Sequence, residues 1–231
     1  MAKAMRFSRR QLAICLREFV LSSNEVVIIA NGPEPKNRVV QRVLTDESFV
    51  IAADGGLRHC RALNRLPNVV IGDLDSVLSQ PIDGIPREMF LEVHDQNRTD
   101  IQKALDFAVK LKPKRIHLLA ALGARHDHTL SNVLILNRFD EIPLYMWDDY
   151  GCFYGINAGG HTLECRSGET VSLFSLTGVT GIDLSGFEFT PRESEFSAGF
   201  NGVSNRALED KPRISFTSGR LIVYEQKWRE Q

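Results

Sequence analysis

The chain has 231 residues, of which 43% are hydrophobic and 25% charged, with 28 Lys and Arg set against 29 Asp and Glu. That composition suits a soluble globular protein with enough length for one large or two modest domains. The balanced charge lends no support to a general nucleic-acid or membrane-surface role, and no apolar run is long enough to span a bilayer.

Near the N-terminus, Ser8-Arg9-Arg10 precede Leu12-Ala13-Ile14-Cys15-Leu16. Arg17 and Glu18 interrupt the apolar stretch and no small-residue cleavage site follows, so a surface helix up to about Leu21 is expected rather than an export signal. Val26-Val27-Ile28-Ile29-Ala30 reads as a strand closed by the turn Asn31-Gly32-Pro33, and residues 48–53 read as a second strand ending in Asp54-Gly55-Gly56. Val69-Val70-Ile71, residues 116–120 and residues 142–147 are further strand candidates. The clearest helix runs from Asp100 to about Lys112, with Ile101, Ala104, Leu105, Ala108 and Leu111 at helical spacing. Thr99, with Gln102 three residues on, fits a capping box at its start. Strands and helices in alternation imply a Rossmann-like, mostly parallel sheet with helices on its faces.

After about Asp149 the pattern changes to short β-rich pieces at residues 170–176, 213–216 and 221–224, separated by turns such as Thr177-Gly178 and Ser218-Gly219. A small all-β sandwich or roll is expected there. Gly and Asn accumulate over residues 150–160, so the domains are set at 1–152 and 153–231. Cys15, Cys60, Cys152 and Cys165 are scattered without a C-x-x-C pair, as expected for reduced, mostly buried thiols of a cytoplasmic protein.

The residues that carry chemistry collect where predicted strands end, which is where open α/β sheets bind ligands. In Gly72-Asp73-Leu74-Asp75-Ser76 the two carboxylates share one side of an extended chain. Held that close they repel unless a cation intervenes, and hard ions such as Mg²⁺ take one or two carboxylates together with phosphate oxygens and water. The same composition also makes a polar turn. Asp54-Gly55-Gly56 suits either a phosphate loop or a plain strand-to-helix turn in which Gly supplies special backbone angles. Asp100 suits a ligand site or merely a favourable helix start. Arg125, Asp127 and His128 could form no more than a surface ion-pair cluster, and His126 beside His128 lacks further soft ligands for zinc.

Taken together, Asp54-Gly55-Gly56, Gly72-Asp73-Leu74-Asp75-Ser76, Asp95-Gln96-Asn97-Arg98-Thr99-Asp100 and Gly123-Ala124-Arg125-His126-Asp127-His128 resemble, in order, the motifs of thiamine pyrophosphokinases. Ser172-Leu173-Phe174-Ser175-Leu176 and Gly202-Val203-Ser204-Asn205 resemble that family's C-terminal signatures. Asn97 stands where many members carry Asp, and Arg206 where Glu is frequent. The resemblance implies an N-terminal α/β nucleotide domain and a C-terminal β domain. It further implies ATP and thiamine as substrates, and a homodimer whose thiamine sites lie between one subunit's N-terminal domain and the other's C-terminal domain.

On that resemblance Asp73, Asp75 and Asp100 are expected to anchor Mg²⁺, and Asp100 is also placed to accept the alcohol proton. Arg125 is expected on phosphate oxygens, with Gln96, Thr99, Asp127 and His128 fixing the nucleotide or the Arg, and Asp54, Gly55 and Gly56 lining its pocket. Ser204 and Asn205 are expected at thiamine, with Phe189 as a stacking ring or, as is common in β domains, a core residue. Two rival readings are a nucleotide-sugar transferase with an Asp-x-Asp metal site and a non-enzymatic nucleotide sensor.

Overall fold

The computed structural model describes residue 13 and residues 24–73, 85–191 and 195–228. The expected N-terminal helix (apart from Ala13), Cys15 and Asp75 lie outside the described residues. Two compact units divide the chain, Met1–Asn132 and Val133–Gln231.

The N-terminal unit is built on strands β1 (Glu25–Ile29), β2 (Phe49–Ala53), β3 (Val69–Gly72), β4 (Phe90–Glu92) and β5 (Arg115–Leu119). They lie in the order β5-β1-β2-β3-β4 and every neighbouring pair is parallel. Their unbroken apolar sequences follow from burial on both faces, and every residue of β2 and β3 is buried. All five carboxyl ends therefore share one edge. Helices α1 (Asn37–Val43), α2 (Leu57–Ala62) and α3 (Asp100–Leu111) connect strands. Helix α3 packs on β1, β2 and β3, burying Ile101, Ala104, Leu105, Phe107, Ala108 and Leu111. Its capping box is formed as expected, and Lys112 closes it in a left-handed conformation at φ 54°. Helix α4 (His126–Ile135) follows β5.

Two groups in this unit carry marked burial effects. His117 on β5 lies 3.5 Å from Glu25, and burial pulls its imidazole down to about 4 against the opposing pull of that carboxylate. Cys60 is a buried free thiol, pushed up to about 12 by desolvation.

The C-terminal unit is antiparallel. Its strands are β6 (Leu144–Trp147), β7 (Gly151–Thr162), β8 (Thr170–Ser175), β9 (Val179–Thr180), β10 (Asp183–Ser185), β11 (Glu195–Phe196), β12 (Phe200–Arg206) and β13 (Arg213–Gln226). Two segments differ from expectation. The Gly-rich residues 150–160 belong largely to β7, because β13 needs a partner along its length and pairs with it from Gly151 to Thr162. Ser218-Gly219 is not a turn between strands but the bulge of a single β13, with Gly219 at φ 92° and the register shifting between Phe216 and Arg220. The bulge lets one strand serve two neighbourhoods: its first part pairs with β10 and its second with β8. The core inside this roll joins Ile156, Val171, Leu173, Phe187, Ile214 and Leu221. Cys152 and Cys165 are buried free thiols within the unit.

Candidate active site

At the sheet edge of the N-terminal unit, strand ends approach so closely that glycine is required. A methyl group on Gly56 would lie 2.0 Å from the Ile29 carbonyl oxygen, and one on Gly55 would lie 2.3 Å from Asn31 Nδ2. One on Gly72 would meet Asp54 Cβ at 2.8 Å. The residue in the left-handed region is Asp54 itself, at φ 43°, so close approach rather than special backbone angles explains the glycine pair. Residues 54–56 form a 3₁₀ turn leading directly into α2.

Helix α2 then reaches back to the loop after β1. Arg58 Nη2 donates to the carbonyls of Asn31 at 3.1 Å and Gly32 at 2.8 Å, and His59 Nε2 bonds the Gly32 carbonyl at 2.8 Å. Gly32 N–H donates to the Ala120 carbonyl at 2.7 Å, which joins this loop to the one after β5. Asn31, Arg58 and His59 thus shape the edge, although their sequence signals are ordinary.

Asp73 follows β3 directly and is half-buried, and the Gly72 carbonyl beside it accepts Val93 N–H at 2.7 Å. In the loop before α3, Asp95 accepts Asn97 N–H at 2.9 Å, while Gln96 and Asn97 point into solvent. Arg98 pairs with Asp106 and so ties the loop to the helix. Thr99 Oγ1 accepts Gln102 N–H at 3.3 Å, and Gln102 Oε1 accepts Thr99 N–H at 3.0 Å. Asp100 Oδ1 accepts from Lys103 Nζ at 2.9 Å, and Lys103 is only 3% exposed.

After β5 the chain turns through positive φ at Ala120, Gly123 and Ala124, and Thr129 Oγ1 accepts Gly123 N–H at 2.9 Å. Arg125 and Asp127 form a two-pronged pair in solvent, Nε to Oδ1 at 3.1 Å and Nη2 to Oδ2 at 2.5 Å. The hydrogen bond from Arg125 holds the Asp127 carboxyl down to about 2, and the pairing raises Arg125 in turn. His126 and His128 are exposed in the first turn of α4. Among the described residues, no three His, Cys, Asp or Glu side chains gather to hold a metal ion.

The C-terminal unit contains a cleft of about 820 Å³ lined by Leu173, Val179, Phe189, Phe196, Phe200 and Asn205, among others. The rings of Phe196 and Phe200 stack there with centroids 3.6 Å apart. Phe189 is 66% exposed, so it is no core residue. Asn205 is nearly buried, and its amide grips the main chain of Phe189: Oδ1 accepts the Phe189 N–H at 3.0 Å and Nδ2 donates to its carbonyl at 2.7 Å. Ser204 sits at a register shift with φ 61°, exposed and outside the cleft wall, its N–H donated to Ser172 Oγ at 3.0 Å. Arg206 leaves the opposite face of β12 from Asn205 and lines a separate hollow with Arg166 and Thr170. The departure at Arg206 therefore does not touch this cleft.

Two family models match the chain. The thiamin pyrophosphokinase catalytic domain covers residues 40–146, and the thiamin pyrophosphokinase vitamin B1 binding domain covers residues 160–221. Thiamine pyrophosphokinase of Bacillus subtilis is 24% identical over 206 residues, 85% of this chain and 95% of that protein. Thiamine pyrophosphokinase 1 of rice is 33% identical over 92 residues, which span 36% of this chain and 35% of that protein. Among solved structures, thiamin pyrophosphokinase of Geobacillus thermodenitrificans superposes with a TM-score of 0.78 at 21% identity, over 89% of this chain and 99% of that one. The Bacillus subtilis enzyme gives 0.76 at 20% identity, over 87% and 98%. These structural likenesses bear on the fold.

Proposed function

The chain belongs to the thiamin pyrophosphokinase family, and we propose that it transfers the pyrophosphoryl group of ATP to the hydroxyethyl oxygen of thiamine, giving thiamine diphosphate and AMP. The observation that carries this reading is the ordered pair of family domains, the first over a glycine-walled sheet edge bearing acidic residues and the second over an aromatic cleft. The part N-terminal to about residue 152 serves nucleotide and metal, and the remainder serves thiamine and dimer formation.

In this reaction the acceptor oxygen attacks the β-phosphorus and gives up its proton to the carboxylate of Asp100, the bond from that phosphorus to the α–β bridging oxygen breaks, and AMP leaves with the electron pair. Such transfers depend on alignment and charge neutralisation more than on covalent catalysis. The donors at the edge are hard carboxylate oxygens and suit Mg²⁺, which would be held by Asp73, Asp75 and Asp100 together with phosphate oxygens and would neutralise charge there. Asp54, Gly55 and Gly56 let the polyphosphate lie against main chain. Asp127 aims the Arg125 guanidinium and still leaves its Nη1 protons for phosphate oxygens. Gln96 and Thr99, before α3, and His128, in the first turn of α4, assist in holding the nucleotide. Phe189 offers its exposed ring to the flat thiamine system, with Asn205 fixing the backbone behind it, while Ser204, exposed outside the cleft wall, would meet thiamine only from the rim.

No described helix is long and apolar enough to cross a membrane. We assign the chain to the cytoplasm and to a homodimer with thiamine sites shared between subunits. Support for the dimer comes from the exposed apolar side chains of Phe189 and Val203 beside the cleft, 66% and 61% exposed. A single monomeric species in sedimentation at micromolar concentration would overturn the dimer.

The activity is tested by incubation with ATP, Mg²⁺ and thiamine while AMP and thiamine diphosphate are followed together. Equal, thiamine-dependent yields of both are expected. ADP release, transfer from a nucleotide sugar, or ATP binding without turnover would each overturn the assignment.

A further inference from the structure

A lysine on a helix ordinarily extends its ammonium into water, and full burial of one without a partner is prohibitively costly. Lys103 departs from that habit. It lies one turn into α3 with 3% of its surface exposed, among Phe107 and the apolar stripe that packs on the sheet. Its Nζ is 2.9 Å from Asp100 Oδ1, and the Asp100 side chain is 34% exposed. The charge is thus hidden behind a carboxylate that itself stays partly open to solvent at the start of α3. With so little surface exposed, the ammonium is placed to act through Asp100.

We propose that Lys103 is a positioning residue: it fixes Oδ1 of Asp100 and so presents Oδ2, in one orientation, to the Mg²⁺-bound triphosphate. The inference rests on the ligand role given to Asp100 above. Without the ammonium, Asp100 is free to rotate about χ1 and χ2, and a helix-start carboxylate has competing partners in the free N–H groups of its own first turn. The anchoring also explains why a charged residue is retained on the apolar face of α3, where a Leu or Met would pack without any desolvation penalty.

The test is K103M, which keeps the length and bulk of the stem and removes the charge. Mn²⁺ affinity, read by electron paramagnetic resonance with a non-hydrolysable ATP analogue present, is expected to fall about 10–100-fold, as is kcat. The thiamine KM is expected to stay within about twofold, since the proposed hold on the acceptor's rings lies in the C-terminal cleft and not at Asp100. In a D100N background the same K103M exchange should leave Mn²⁺ affinity unchanged, because the group it positions is already gone. That double variant strands no charge, so it keeps the test decisive if K103M alone is insoluble. Unaltered Mn²⁺ affinity in K103M, or a further tenfold loss on adding K103M to D100N, would overturn the proposal. Absence of thiamine-dependent AMP release from the unsubstituted chain counts instead against the activity itself.

Discussion

At the edge of the parallel sheet, Gly56 lies so close to the Ile29 backbone that a methyl group has no room, and Gly55 lies against the Asn31 side chain, whereas the cleft of the C-terminal unit leaves about 820 Å³ between side chains. The first site is shaped by glycines pressed against backbone at Ile29 and side chains at Asn31 and Asp54, with Asp73, Asp100 and Arg125 proposed to add charge. The second is shaped by rings, with a single buried amide, Asn205, steering one of them. A site of the first kind suits a ligand whose charge must be gripped in a fixed geometry. A site of the second suits a flat body held by its faces. The contrast also predicts different failures: substitutions at the edge should damage turnover or folding, and those at the cleft should damage acceptor binding alone.

The sharpest way to break this contrast is Asp73→Asn, which removes a charge at the edge and almost no volume. A loss of kcat of about a hundredfold or more is expected, with an unchanged melting temperature. Near-normal turnover would remove Asp73 from the site. Next in size is Gly56→Ala. Its new methyl must displace the Ile29 backbone, at a cost of about 1–3 kcal/mol, which for a chain of this length lowers the melting temperature by about 2–12 °C. A variant as stable as the parent would mean that the strand ends are not packed as described. Asn205→Ala should act on the other site only. Losing both bonds to the Phe189 backbone is worth about 1–2 kcal/mol, read as a roughly 5–30-fold rise in thiamine KM with the ATP KM unmoved. Equal effects on the two constants would erase the distinction between the units.

The smallest expected effect concerns acid. His117 has its folded pKa lowered to about 4, below the unfolded value near 6.5, so it is buried neutral and must charge as the N-terminal unit unfolds. The stability it confers is complete above about pH 6.5 and is lost as pH falls from there toward 4. Hydrogen exchange followed by mass spectrometry should therefore register faster opening of residues 25–29 and 115–119 over that window, ahead of the C-terminal strands. His117→Gln should flatten the dependence. In the C-terminal unit Tyr154 and Tyr224 are both raised, by burial first and then by Glu225 and Asp148 respectively. Their contribution is present below the unfolded value near 10 and fades only as pH rises beyond it.

The two regions were not equally legible from sequence. Parallel strands buried on both faces announce themselves as apolar runs, and the cap at Thr99 and Gln102 marks the start of α3 because the local hydrogen bonds need those side chains. The acidic and glycine motifs of the edge are short and contiguous, so they can be read directly. Lys103 could not be, since a lysine inside a helical pattern looks the same whether it faces water or core. Its i,i+3 spacing from Asp100 was the only available clue. The β unit misled for a related reason. Glycines in 150–160 suggest a domain boundary, yet Gly155 lies within β7 where a methyl would meet the Leu136 carbonyl oxygen at 2.7 Å, so close approach within a strand demands it. Phe189 is equally opaque, because nothing local separates a ring on the surface from one in a core.

The grip of Asn205 on position 189 has an evolutionary corollary. Both contacts are to the N–H and carbonyl of that residue, so the amide is blind to whatever side chain hangs from it. Exchanging Phe189 for Tyr or Trp would leave the mounting intact and alter only the surface it displays. If Phe189 stacks on the acceptor as proposed, such exchanges would change acceptor preference without disturbing the main chain that carries the ring.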